Sequence, residues 1–490
     1  MARLFIVSNR VSLPDPSGRK RAGGLEVALR GTLKHRSALW LGWSGGVKPK
    51  KAVETRTIHQ GKTTYVVTDL SKGDYQEYYS GFANSVLWPI LHYRLDLAEF
   101  SRRDLTGYFR VNDHFAREIA KLLEPDDIVW VHDYHLIPFA KALRDRGYDN
   151  KIGFFLHIPL PPPEILTALP NHERLIPTLC EYDLVGFQTD GDATNFARYL
   201  TKESGFSGSM PYGTNASGRT MRIGTFPVGI ETEQFAERAR HAASSSFVQR
   251  VRNSEPGAII LGVDRLDYSK GITLRMEAFE KFLIANPDWH RHVTYMQITP
   301  GSRDDIPEYA AMKRDNETTA GRINASYGDV SWTPVRYVTT TYSRTALSGL
   351  YRMARVALVT PLRDGMNLVA KEYVAAQNPK NPGVLILSRF AGAAIELDAA
   401  VLVNPYDPEA VAAAIAAALS MPLKERRSRQ KALFEALRKN DISDWGENFL
   451  TTLGTIPTPT PLSAQEPRGK SRMAASAKMK RDVDGRVGKK

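Results

Sequence analysis

The chain has 490 residues, 42% apolar and 24% charged, and its 66 Lys and Arg against 53 Asp and Glu give a formal net charge of +13. That length suffices for roughly two to four domains with sizeable cores, which excludes disorder throughout. One cysteine, Cys180, excludes a disulfide framework and a cysteine-based zinc site; the basic balance points to nucleic acid, an anionic membrane or phosphorylated small molecules.

A first strand is expected at 3–7 (RLFIV). Its apolar run Leu4–Val7 is too short for a secretory signal (~7–15 residues) or a membrane span (~20), so a cytoplasmic protein is expected. The strand ends at Ser8-Asn9-Arg10, and Ala22-Gly23-Gly24-Leu25 then leads into a helix. Glycines there either form a tight turn or let backbone N–H groups approach an anion. A helix over 112–123 precedes a strand at 127–131, which ends in His132-Asp133-Tyr134-His135. Two imidazoles and a carboxylate admit a metal, hydrogen bonds to a polyol, or structural caps. In extended backbone His132 and His135 point to different faces, which favours the polyol. A helix over 134–146 and a strand at 151–156 follow, and the strand ends at His157. Strands at 183–187 and 221–226 close the first series; Asp190 and Asp192 between them read as helix caps rather than metal ligands.

The second series starts after Pro227-Val228-Gly229-Ile230, with strands at 258–263, 293–298, 356–360 and 384–387. Helical patterns lie at 271–285, 344–353, 407–420 and 442–453. Continuous apolar strands alternating with helices predict parallel sheets covered on both faces. The expected architecture is α/β: two doubly wound Rossmann-like domains, 1–230 and 231–454, with an interdomain cleft. Ligands in such sheets bind at the carboxyl ends of strands. Two strand-end loops qualify in this half. In Asp264-Arg265-Leu266-Asp267-Tyr268-Ser269-Lys270-Gly271, two cations either clamp a diphosphate or belong to an ordinary polar loop. In 360–372, the amides around Met366, Asn367, Leu368 and Val369 open a helix, Asp364 suits a sugar hydroxyl, and Glu372 suits a ribose diol.

From Thr455 to Lys490 nine Lys and Arg face three Asp and Glu, so +6 of the net charge lies in this segment. It opens on Pro457-Thr458-Pro459-Thr460-Pro461 and holds almost no large apolar residue after Leu462. A disordered basic tail is expected over 455–490. Gly469-Lys470-Ser471 lacks the earlier glycine of a P-loop, and Asp482 and Asp484 lie in the same tail. No nucleophile elbow and no G-x-G-x-x-G after the first strand is present.

The chain resembles the trehalose-6-phosphate synthases, retaining glycosyltransferases of the GT-B class. The resemblance rests on VSNR (7–10), AGGL (22–25), WLGWSG (40–45), EYYSGFANSVLWP (77–89), HYRLDL (92–97), WVHDYHL (130–136), GFFLHIP (153–159), VDRLDYSKG (263–271), AGRIN (320–324) and TPLRDGMNLVAKEYVAAQ (360–377), in family order across about 3–453. It implies transfer of glucose from UDP-glucose to glucose-6-phosphate, with no cofactor and no metal. It implies that Arg10, Tyr79, Trp88 and Arg303 hold the acceptor, that Asp133 contacts the acceptor glucose, and that Trp43 lines its pocket. His157 and Asp364 then bind the donor glucose, Gly24 lies beside the donor phosphates, and Arg265 and Lys270 clamp them. Met366, Asn367, Leu368 and Val369 meet the diphosphate and sugar, and Glu372 the ribose. Arg265, Lys270, His157 and Asp133 are the expected catalytic set.

Arg10, Arg265, Lys270 and Arg303 supply four cations for the phosphates. No motif offers the paired carboxyls, ~5–5.5 Å apart, of a retaining glycosidase, and the resemblance implies same-face attack instead. Tyr342 stands near the donor base where many members have Phe, and 203–219 reads as a variable surface loop. A GDP- or ADP-sugar donor stays open, as does a homo-oligomer; neither nucleic acid nor membrane is expected as a partner. The competing readings are another transferase on the same scaffold, a regulator with an eroded site, and a nucleic-acid binder.

Overall fold

A computed structural model describes residues 2–11, 13, 24–33, 36–49, 55–204, 211–214, 219–255, 257–301 and 307–457. The first sheet contains β1 (Leu4–Arg10), β2 (Ala38–Lys48), β3 (Thr55–Gln60), β4 (Thr63–Ser71), β5 (Ile128–His132), β6 (Lys151–Phe155), β7 (Leu184–Phe187), β8 (Tyr212–Thr214) and β9 (Thr220–Thr225). Their order is β3-β4-β2-β1-β5-β6-β7-β9-β8, parallel except for the edge strands β3 and β8. The second sheet contains β10 (Ala258–Val263), β11 (Val293–Ile298), β12 (Val335–Val338), β13 (Val356–Val359), β14 (Val384–Ser388) and β15 (Val401–Val403), ordered β12-β11-β10-β13-β14-β15 and all parallel.

The central strands are those with unbroken apolar runs. Phe5, Ile6 and Val7 of β1 and Val129, Trp130 and Val131 of β5 are all buried, because helices cover both faces. In the second sheet Ile260, Leu358 and Ile386 are equally buried. No helix among the described residues is long and apolar enough to cross a membrane.

Some elements depart from the sequence expectations. The helix expected at 112–123 runs Arg102–Ala120, because the Ser101 hydroxyl accepts from Asp104 N and starts it ten residues earlier. The helix expected over 134–146 is broken: a turn of 3₁₀ helix covers Tyr134–Leu136, and an α-helix covers Phe139–Arg144 beyond Pro138. Tyr75–Leu87 winds as a wide helix in which Trp88 N donates to Ala83 O, five residues back. The final helix, Ile442–Thr455, packs on the first sheet. Phe449 stacks on Trp130 at 4.7 Å, and a Cβ at Gly153 or Gly186 would meet the Phe449 ring at 2.6 or 2.7 Å. Ile456, beyond this helix, is buried, while the remainder of the expected tail from 458 lies outside the described residues.

Candidate active site

Arg10 ends β1, in register with Trp43 of β2. Its guanidinium carbon lies 5.7 Å from the centre of the Trp43 ring. Gly45 has φ 91°, and a Cβ there would stand 2.8 Å from Arg10 Nη2, so glycine makes room for the guanidinium. The Trp43 ring is fixed by its Nε1–H donating to Gly46 O at 2.7 Å, and it meets Tyr79 at 5.3 Å. Tyr79 stacks in turn on His135 at 5.9 Å. The wide helix carrying Tyr79 is tied to the end of β1 by Tyr78, whose hydroxyl donates to Asn9 Oδ1 at 2.9 Å. Trp88 is buried behind this wall, 4.1 Å from His92 and 5.5 Å from Tyr134.

β5 and β6 end beside this pocket. Asp133 adopts φ 77°, an uncommon conformation for a residue with a side chain. Its N–H donates to Phe155 O at 2.8 Å, and its Oδ1 accepts from His157 N at 3.3 Å. The two histidines of the 132–135 motif part, but not through extended backbone: β5 ends at His132, and His135 lies in the 3₁₀ turn that follows the positive φ of Asp133. His132 turns toward His157, with Nδ1 and Nε2 3.2 Å apart, whereas His135 supports Tyr79. Burial pushes the His157 imidazole down to about 3 and holds His132 well below the usual range. Among the described residues no three His, Cys, Asp or Glu converge as metal ligands.

On the second sheet, Arg265 is exposed in the loop after β10. Lys270 Nζ donates to Asp364 Oδ2 at 2.6 Å, and Asn367 Nδ2 donates to the same oxygen at 3.0 Å. Asn367, at φ 101°, caps the helix Leu368–Ala376 by accepting from Ala370 N. Met366 is buried, while Leu368 and Val369 are half-buried at the helix start. Glu372 lies one turn in and accepts from Arg344 Nε at 3.2 Å. Burial raises the Glu372 carboxyl, against the lowering effect of Arg344. Tyr342 meets Phe247 at 5.4 Å.

The two halves touch at this point. A Cβ at Gly365 would stand 2.3 Å from His157 O, so the loop after β13 lies directly on the end of β6. Arg363 lies 4.0 Å over the ring of Tyr93, and Arg94 lies 5.5 Å over Tyr268. His157, to whose N–H Asp133 is bonded, thus lies beside the loop that carries Asp364 and its partner Lys270. Gly24 begins the helix Gly24–Leu33; Arg303 lies outside the described residues.

The sequence reading did not single out Arg275, Arg344 or Lys371. Arg275 is fully buried: Nη1 donates to Asp264 Oδ2 at 2.6 Å, Nε to Thr360 Oγ1, and Nη2 to Lys270 O. A charge on the apolar stripe of Ile272, Met276 and Phe279 was the available signal.

Residues 7–455 match the model of glycosyltransferase family 20. The chain belongs to that family. A trehalose-6-phosphate synthase of Sinorhizobium fredii is 53% identical over 457 residues, covering 92% of this chain and 98% of that protein. One of Cronobacter sakazakii is 48% identical over 461 residues, covering 94% and 97%. A Burkholderia xenovorans α,α-trehalose-phosphate synthase (UDP-forming), solved in complex with glucose-6-phosphate, matches with a TM-score of 0.90 at 45% identity, covering 92% of this chain and 100% of that one. A trehalose-6-phosphate structure from E. coli bound with UDP-2-fluoro glucose matches with a TM-score of 0.88 at 45% identity, covering 94% of this chain and 100% of that one. The two doubly wound sheets are the GT-B architecture that the sequence led us to expect.

Proposed function

We propose that the chain is an α,α-trehalose-phosphate synthase that moves glucose from UDP-glucose to glucose-6-phosphate with retention, releasing UDP and trehalose-6-phosphate. The observation that carries this reading is the placing of cations after strands of both sheets. Arg10 sits among Trp43, Tyr79 and Gly45 on the first sheet, and Arg265 and Lys270 follow β10 on the second. The first suits a sugar phosphate and the second a sugar diphosphate. Relatives bound with glucose-6-phosphate and with UDP-2-fluoro glucose support that pairing.

In this reading residues up to 230 supply most of the acceptor side, with Arg10, Trp43, Tyr79, Trp88 and Asp133, and Arg303 joins them from the second half. Residues 231–454 supply most of the donor side, with His157 reaching across from β6. The glucosyl C1–O bond breaks and its electron pair goes to the β-phosphate oxygen, where Arg265 and Lys270 stabilise the developing charge. The acceptor hydroxyl attacks the face the diphosphate leaves, and its proton passes to a donor phosphate oxygen. Lys270 and Asn367 both donate to Asp364 Oδ2, which fixes the carboxylate that this reading gives to a donor-sugar hydroxyl. Both substrates are soluble phosphorylated sugars, so the proposed location is the cytoplasm.

The test incubates the protein with UDP-, GDP- or ADP-glucose and glucose-6-phosphate, and reads the product by proton NMR. The expected product is an α,α-linked disaccharide phosphate, formed fastest from UDP-glucose. Absence of that product with every donor overturns the assignment, and an inverted linkage overturns same-face attack.

A further inference from the structure

The donor-side role of His157 leaves a question about its proton, and the neighbouring His132 answers it. The two rings share one hydrogen bond, His132 Nδ1 to His157 Nε2 at 3.2 Å. Burial keeps both rings neutral at neutral pH, so one proton lies between them and each ring carries one other nitrogen. Two arrangements satisfy the bond. If His157 donates, His132 must carry its proton on Nε2. That atom is buried without a hydrogen-bond partner, and an N–H there would be an orphaned donor. If His132 donates, its Nε2 is a bare lone pair, which costs less to leave unmatched.

The surroundings push the same way. His132 is fully buried against Trp130 at 4.5 Å and Trp445 at 6.2 Å. The polar atoms of both indoles are N–H donors, and both are buried without partners. His157, by contrast, is only half-buried. With its Nε2 turned to His132, its Nδ1 points away from that ring.

We propose that His132 is a positioning residue: its Nδ1–H donates to His157 Nε2, so His157 presents its own Nδ1–H to the cleft as a donor for a sugar hydroxyl oxygen. Trp445 belongs to the final helix, Ile442–Thr455, and packs on both imidazoles, at 5.9 Å from His157. The chain's last helix thus closes the pocket that sets the tautomer. This inference rests on His157 contacting the donor sugar.

The first arm reads the unaltered chain and uses one variant only to assign its signals. In full-length protein labelled with ¹⁵N-histidine, the His157 signals, assigned by their loss in His157→Gln, report which nitrogen carries the proton. An Nδ1–H tautomer is expected; an Nε2–H tautomer overturns the proposal. The second arm compares His132→Asn, whose amide can still donate near the Nδ1 position, with His132→Leu, which cannot. His132→Leu is expected to raise KM for UDP-glucose about tenfold, the worth of one hydrogen bond, with KM for glucose-6-phosphate within about twofold. His132→Asn is expected to recover most of that loss. A packing role alone predicts the reverse order, since Leu suits an apolar pocket better, and equal behaviour of the two variants also overturns the proposal. If His157→Ala leaves KM for UDP-glucose unchanged, the donor contact fails, and the tautomer measurement still stands as a separate result.

Discussion

Lys270 and Arg265 are both cations near the proposed diphosphate, yet the fold treats them differently. Lys270 is held before any substrate arrives: its Nζ donates to Asp364, and its carbonyl accepts from the buried Arg275. Arg265 stands exposed. A preorganised charge lowers a barrier more than one that must be gathered during reaction. Lys270→Ala is therefore expected to lower kcat by about 10²–10³-fold, the loss typical of one such donor, with KM for UDP-glucose changing less than about fivefold. Steady-state kinetics check this, and a loss confined to KM defeats the leaving-group role. The loop residues were legible because cations and carboxylates after apolar runs fall at strand ends. Their partnerships were not. Asp364 was read as a sugar ligand, and only the folded chain shows that the same carboxylate holds Lys270. Arg344, which donates to Glu372, belongs to a helix 28 positions earlier in sequence, and no local pattern joins them.

The helix Leu368–Ala376 shows how one element carries the donor side. Asn367 caps its start, and Arg352 Nη1 donates to Ala376 O and Gln377 O at its end. Its middle is fixed by Lys371, whose side chain is 0% exposed and whose Nζ donates to Val228 O at 2.8 Å and meets Glu396 Oε2 at 2.5 Å. Val228 lies in the crossover between the two series of strands, and its N–H donates to Gln188 Oε1. Removing one partner of a buried ion pair strands the other. Lys371→Met is expected to lose about 3–5 kcal/mol of stability in urea unfolding. The double change Lys371→Met, Glu396→Leu should recover at least half of that; no recovery would mean that the crossover contact, not the pair, carries the effect. At this scale the strands with unbroken apolar runs were legible, whereas the interior β2 and β4 and the edge strands β3, β8, β12 and β15 were not. β10 and β13 are unbroken apolar runs, whereas β3 is almost wholly exposed and polar. The wide helix Tyr75–Leu87 was illegible because a five-residue hydrogen-bond step leaves no familiar apolar period. The return of the last helix to the first sheet was equally hidden, since only the contact of Phe449 with Gly153 and Gly186 reveals it.

Across the whole molecule, the meeting of the two halves is dry enough to hold three neutral histidines. His132 and His157 lie at the end of the first sheet, and His92 lies within electrostatic reach of Asp267, Lys270 and Asp364. Burial drives His92 down to about 4 and His157 to about 3, and keeps His132 well below its ordinary value. The unfolded chain, with ordinary histidines near ~6.5, binds protons that the folded chain refuses as pH falls below that value. Stability is therefore complete above pH ~6.5 and is lost toward acid, at about 1.4 kcal/mol per pH unit for each such histidine. Carboxyls oppose this at lower pH. Burial raises Asp192, Asp264 and Glu372, so the folded state takes up their protons first and gains stability as they titrate. These three rings are expected to cost roughly 3 kcal/mol in urea unfolding between pH 6.5 and 5.5, and His92→Gln should remove about 1 kcal/mol of that fall. A flat profile across this interval would mean that the rings stay hydrated and that the two halves do not close on them.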